Sequence, residues 1–165
     1  MTPVVELRDI VTEADRAAAR ALRVAPGQDR FVASVERSFE DAVTDVRARP
    51  RMWVAYDGDR AVGFVMISDG IPEAALAAEP DLIGPYYLWR LLIDEGVQRL
   101  GYGTACIDAV TTYLRSRPGA EVLWVSCGQG AGTPQPFYER YGFVPTDRFV
   151  DGERVMRLDL TEEGR

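Results

Sequence analysis

Histidine is absent from this 165-residue chain, and cysteine occurs only twice, at Cys106 and Cys127. Without histidine there is no Ser-His-Asp or Cys-His nucleophilic machinery, and two cysteines alone are too few ligands for an ordinary zinc site, so no metal is expected. Cys106 falls in an apolar helical pattern and Cys127 at the end of an apolar strand; both read as small buried residues. Nothing indicates the secreted setting in which a disulfide between them would persist. Runs dense in lysine or arginine are also missing, and the formal net charge is -7. That balance argues against broad attachment to nucleic acid or to an anionic membrane, and favours cationic ligands. No stretch approaches the roughly 18 apolar residues of a membrane span. The opening MTPVVELRDIVTEADR has charges where a secretory apolar region would stand, so a cytoplasmic location is expected.

A hydrophobic content of 47% over this length suffices for one well-buried core and is too little for two ordinary domains, so residues 1–165 are expected to form a single domain. No repeat, low-complexity tract or linker interrupts it. A short strand, VVELRDI at 4–10, precedes Thr12 and Asp15 in capping-box spacing and the alanine-rich helix EADRAAARAL, which Pro26 and Gly27 close. A second helix is predicted over residues 30–48, where Phe31, Val35, Phe39, Ala42, Val43 and Val46 recur at helical steps before Pro50. MWVAY and AVGFVMIS flank DGDR as an antiparallel hairpin. Residues 69–85 read as a long connection with at most one helical turn. YYLWRLLID, apolar on both faces, belongs in the middle of a sheet.

Beyond it lies a glycine corner, QRLGYG at 98–103, then a helix bearing Cys106, Ala109, Val110, Tyr113 and Leu114, ended by Pro118-Gly119. EVLWVSC follows as a strand parallel to the previous one. A short helix at PQPFYERY and a hairpin around Asp151-Gly152 finish the chain. The predicted order is βααβββαβαββ, a mixed α/β fold.

A corner where a central strand turns into a helix suits an anion, because the first amides of a helix lack internal partners and face outward with partial positive charge. Gly101 and Gly103 allow the backbone to approach a ligand, and Gln98 and Arg99 add side-chain donors. There is no Gly-Lys pair for a P-loop, and Cys106 stands where a dinucleotide fingerprint needs its third glycine. Glycines that merely join strand to helix would look the same in isolation.

In combination, these elements resemble the GNAT superfamily, the GCN5-related N-acetyltransferases that use acetyl-CoA. The superfamily phosphate loop Q/R-x-x-G-x-G/A appears as Gln98-Arg99-Leu100-Gly101-Tyr102-Gly103, and its second signature as FYERYGF at 137–143. The likeness covers nearly the whole chain. RVAPGQDRFVASVERS at 23–38 and GFVMI further resemble bacterial spermidine or diamine acetyltransferases.

The resemblance implies acetyl transfer to a primary amine by direct attack within a ternary complex. Amides from Gln98 through Thr104 would hold the CoA pyrophosphate, with the pantetheine arm beside Leu92 and Ile93 in a splayed gap between the fourth and fifth strands. A bulged fourth strand would stabilise the developing oxyanion. Tyr138 occupies the position of the general acid, and Tyr141 reads as structural. A primary amine with a pKa of about 10.4 is only about 0.1% neutral near pH 7.4, a cost of about 4 kcal/mol unless the site assists deprotonation. The glutamate that some relatives carry on the fourth strand is replaced by Trp89, so Asp94, Glu95, Glu73 and Glu36 are candidate bases, beside a water chain ending on backbone carbonyls. Ala131 stands where an asparagine is common, and GQGAGTP can hold the co-substrate through backbone groups instead. Phe31, Glu36 and Trp89 are expected to form a cation-friendly acceptor wall. Aminoglycosides, amino acids and protein N-termini remain alternative acceptors, and a non-catalytic acyl-CoA-binding or sensory module remains an alternative function. A homodimer is permitted but not demanded.

Overall fold

In the computed structural model, which describes residues 2–161, a seven-stranded sheet runs in the order β1-β2-β3-β4-β5-β7-β6. Its elements are β1 (Glu6–Asp9), α1 (Glu13–Arg20), α2 (Val35–Thr44), β2 (Pro50–Asp57), β3 (Arg60–Asp69), α3 (Glu73–Ala78) and β4 (Tyr86–Ile93). They continue with α4 (Tyr102–Leu114), β5 (Val122–Cys127), α5 (Gln135–Tyr141), β6 (Val144–Val150) and β7 (Glu153–Asp159). All neighbouring strands are antiparallel except β4 and β5. The predicted order is recovered, with α3 as an additional short helix inside the 69–85 connection.

Local chemistry explains most boundaries. The Thr12 amide donates to Asp15 Oδ2 at 2.8 Å and the Asp15 amide to Thr12 Oγ1 at 3.1 Å, so aspartate completes the capping box at α1. The second helix is shorter than the expected 30–48. Ser34 Oγ accepts from the Arg37 amide and starts α2 at Val35, leaving Phe31 in the preceding loop, and Asp45 ends it ahead of a 3-10 turn. Val46 falls in that turn at 65% exposure and Val43, on the outer side of α2, is 81% exposed, whereas Val35, Phe39 and Ala42 pack inward. The β6–β7 turn has φ of 50° at Asp151 and 78° at Gly152, the pair of left-handed residues that a type I′ hairpin requires.

Two apolar layers sandwich the sheet. On one face Val65, Ile67, Leu88, Leu123, Val125 and Met156 meet Cys106, Ile107, Val110 and Leu114 of α4 together with Tyr138 of α5. On the other, Val54, Phe64, Met66 and Leu92 meet Ala19, Leu22 and Val35. Ile107 and Leu114 have no exposed surface, so truncating either to alanine would cost about 2–5 kcal/mol. Both cysteines are free and buried, as expected, and burial raises each thiol to about 12.

Candidate active site

β4 and β5 are paired only at Tyr87–Trp124 and Leu88–Val125, after which they diverge into a fork. β4 also carries a bulge at this point. Met66 of β3 is paired with Arg90 and Ile67 with Leu88, leaving Trp89 without a partner in the register. The bulge inverts the alternation of the strand. Tyr86 and Leu88 pack on the α4 side before it, and Leu91 and Ile93 pack there after it. Trp89 and Arg90 in consequence both line a cavity on the α1–α2 side. A continuous apolar run such as YYLWRLLID conceals this change of face.

The fork opens towards the N-terminus of α4. Gly101 sits at φ 92° as the helix N-cap, and the first helical bond is the one from the Ala105 amide to Gly101 O, so the amides of Tyr102, Gly103 and Thr104 precede it. A Cβ on Gly103 would lie 3.0 Å from the Phe137 ring of α5, which is why glycine is needed where the two helices meet. Gln98 uses its carboxamide internally, donating to Ile93 O at 3.1 Å and pairing with Gln28, so it offers a ligand its backbone rather than the expected side-chain donor. Arg99 is exposed, and Leu100 is 61% exposed. The Tyr102 hydroxyl donates to Asp57 at 2.5 Å and ties the corner to the β2–β3 hairpin. Leu92 is buried on one face of the sheet and Ile93 half-buried on the other, both on the β4 arm of the fork.

α5 approaches from the α4 side. Gly142, at φ 129°, ends the helix, and the Phe143 amide returns to Tyr138 O at 3.0 Å, which folds Phe143 against Tyr138 at a ring separation of 5.4 Å. The FYERYGF signature is thereby a device that seats the Tyr138 ring between Phe137 and Phe143. Burial holds the Tyr138 phenol far above its ordinary value of 10, with Cys127, Tyr87 and Glu153 adding to the shift by like charge. The Tyr141 hydroxyl donates to Asp108 of α4 at 2.6 Å, the structural role expected of it.

On the opposite side lies a cavity of about 810 Å³ bounded by the 29–33 loop, α2, the 79–83 segment, β4, β5 and the β6–β7 hairpin. Phe31 and Trp89 line it; the Phe31 ring rests over Gly128, where a Cβ would meet it at 3.1 Å. Its lining is acidic. Asp29, Asp41, Asp45, Glu79, Asp81, Asp151 and Glu153 face Arg30, Arg47 and Arg90. Arg90 is paired with Asp41 at 2.6 Å and Arg47 with Glu79, so five of the carboxylates face a single remaining arginine in the wall.

The structure does not bring together every candidate from the sequence. Glu36 is ion-paired with Arg20 at 2.8 Å and does not line the cavity. Asp94 accepts from the amides of Arg23 and Gly96, a structural use, while Glu73 and Glu95 are exposed; none of the three borders the cavity. Sequence reasoning missed Asp41, Tyr87, Ser126 and Glu153. A serine among the apolar residues of EVLWVSC was the available signal, but its partners depend on the strand order, which leaves β7 rather than β6 beside β5.

The sequence profile of the Acetyltransferase (GNAT) family matches residues 17–143. No curated protein sequence is similar enough to count as a match. Among solved structures, an acetyltransferase from Thermus thermophilus is 20% identical, with a TM-score of 0.68 over 94% of this chain and 97% of that one. A Bacillus subtilis acetyltransferase in complex with CoA is 16% identical, with a TM-score of 0.58 over 94% and 97%. A Salmonella typhimurium acetyl transferase that modifies the N-terminal serine of ribosomal protein L7/L12 is 14% identical, with a TM-score of 0.63 over 94% and 95%. With the forked parallel pair, the glycine corner and the matched profile in agreement, the chain belongs to the GNAT family of acetyltransferases.

Proposed function

We propose that the chain acts as a single N-acetyltransferase domain, moving the acetyl group of acetyl-CoA to the primary amine of a small cationic molecule, with polyamines the foremost class. The observation that supports this most is the position of the acidic cavity, on the far side of the same fork that the α4 corner opens into. A polycation gains from the surplus carboxylates what an anionic or neutral acceptor would not.

The backbone from Gln98 to Thr104 would hold the pyrophosphate, with Leu92 and Ile93 flanking the pantetheine arm. The absence of a side chain at Gly103 and the unused amides of the first α4 turn fit such a group. When bound, acetyl-CoA supplies the activated acyl group. Tyr138 keeps its phenolic proton through the neutral range and gives it to the departing sulfur. Phe31 and Trp89 form the apolar part of the acceptor wall, and Glu36 reaches the acceptor only by leaving Arg20. The proposed setting is the cytoplasm, without nucleic acid or membrane, and a homodimer is compatible with it. Among the described residues no helix is long and apolar enough to cross a membrane.

The test is CoA release, followed with a thiol reagent, over a panel of polyamines, aminoglycosides, amino acids and peptides. Faster turnover of spermidine or a diamine than of peptides is expected. A preference for peptide N-termini would instead move the acceptor to protein. All 19 basic residues of the chain are arginine, so lysine self-acetylation cannot confuse that assay.

A further inference from the structure

Tyr87, Ser126 and Glu153 come from three different strands and meet at the cavity floor. Tyr87 is paired with Trp124 in the parallel register, so Ser126, two residues on, shares its face. Ser126 is paired with Val155 in β5–β7, which puts Glu153, two residues earlier, on that same face as a diagonal neighbour. The oxygens form an unbroken line: Tyr87 Oη lies 2.6 Å from Ser126 Oγ, and Ser126 Oγ donates to Glu153 Oε1 at 2.7 Å. The single proton of Ser126 is committed to Glu153, so in this arrangement Tyr87 donates to Ser126. The line therefore points one way, from the fork to the carboxylate, and the lone pairs of Tyr87 Oη are left to accept.

Resting on the acetyl-transfer reading, we propose that this line is the general-base relay of the reaction, with Tyr87 touching the acceptor amine and Glu153 as the final proton acceptor. The amine N–H breaks as a proton passes to Tyr87 Oη. The former Tyr87 proton moves to Ser126 Oγ, and the Ser126 proton moves to Glu153 Oε1. The amine is left neutral with its lone pair free, Glu153 becomes a carboxylic acid, and both hydroxyls are restored. No tyrosinate forms, in keeping with the burial that raises the Tyr87 phenol to about 12. Tyr138 packs on the α4 face of the sheet and the line borders the cavity on the other, so the proposed acid and base lie on opposite faces of the sheet. Asp41 is a poorer terminus, because Arg90 and Arg37 already occupy its oxygens.

The ionisable groups around the line are Arg90 of β4 with its α2 partner Asp41, Cys127 of β5, Tyr138 of α5 and Asp151 in the β6–β7 turn. Cys127, raised to about 12, and Tyr138, higher still, do not titrate near neutrality.

The experiment measures steady-state turnover of the best amine by wild type, Glu153→Gln, Ser126→Ala, the double variant and Ser126→Thr from about pH 7 to about pH 10. Each single variant should lose about 100-fold in kcat with KM for acetyl-CoA unchanged, the magnitude of general-base assistance. The double variant should fall no more than about threefold below the slower single one, because the parts act as a unit. Ser126→Thr, which retains the hydroxyl, should keep most of the rate. The deficit should close as the pH approaches about 10.4, where solvent deprotonates the amine unaided. If wild type turns over while Glu153→Gln and Ser126→Ala stay within about threefold of it, or lose a factor that pH does not change, the relay is overturned and acetyl transfer stands. If acetyl-CoA binds and no amine releases CoA, the acetyl-transfer reading falls, and the relay with it.

Discussion

Tyr138, Gly103 and Arg90 show how single residues are constrained by what surrounds them. Gly103 has the Phe137 ring where its Cβ would be, at 3.0 Å, so Gly103→Ala pushes α5 away from α4. We expect acetyl-CoA affinity to fall about tenfold by calorimetry, the equivalent of about 1.4 kcal/mol. Arg90 lies mostly buried with a side-chain exposure of 17%, and burial, the largest influence, lowers its pKa against the opposing pull of Asp41. Asp41→Asn leaves that cation without its partner and should cost about 1–3 kcal/mol in urea denaturation. Glu36 makes a contrasting case. Its pairing with Arg20 on the outer surface predicts that Glu36→Gln leaves the amine KM within about twofold of wild type, as for other surface charges. A large rise in that KM would return Glu36 to the acceptor wall.

At the scale of elements, the parts legible in the sequence were those fixed by local chemistry. The Thr12–Asp15 box, the Asp151-Gly152 hairpin and the glycine corner before α4 each depend on residues within a few positions of one another, and each stands where the sequence places it. The limits of α2 were not legible, because Val43 and Val46 extend a helical spacing that the backbone abandons at Asp45. The β4 bulge was expected from the family resemblance but could not be derived from residue pattern, since Tyr86 to Ile93 is largely apolar on both sides of it. The Tyr87–Ser126–Glu153 line was invisible because its members are joined by strand pairing across 66 positions of sequence, counted from Tyr87 to Glu153. The capping box also carries a pH signature. The Asp15 carboxyl is held below its ordinary value first by the Thr12 amide and then by that of Val11. A depressed folded value means that its contribution is complete above the unfolded value of about 3.9 and lost as pH falls through the folded one. The difference in melting temperature between wild type and Asp15→Asn should shrink between about pH 5 and about pH 2.5; a constant difference would contradict the capping role.

For the whole molecule, the net charge of -7 and the acidic cavity act in the same sense. Both would favour the polycation proposed as acceptor, and both are screened within about 8–10 Å at physiological salt. We expect the KM for spermidine to rise several-fold between about 20 mM and 300 mM salt, while an uncharged hydroxylamine-type acceptor shows little change. Equal salt dependence for both would mean that the cavity charge takes no part in recognition. On the proposed function, the two substrates would reach the fork from opposite faces of the sheet. The α4 corner and the α5 tyrosine approach the fork from one face, and the acidic cavity approaches from the other.

Amine acetylation at this fork with Tyr138 as the acid is tested by CoA release from wild type and Tyr138→Phe under saturating acetyl-CoA and amine. If Tyr138 is the acid, kcat falls about 100-fold in the variant, with acetyl-CoA binding retained and the melting temperature little changed. Equal kcat for the two proteins would contradict it.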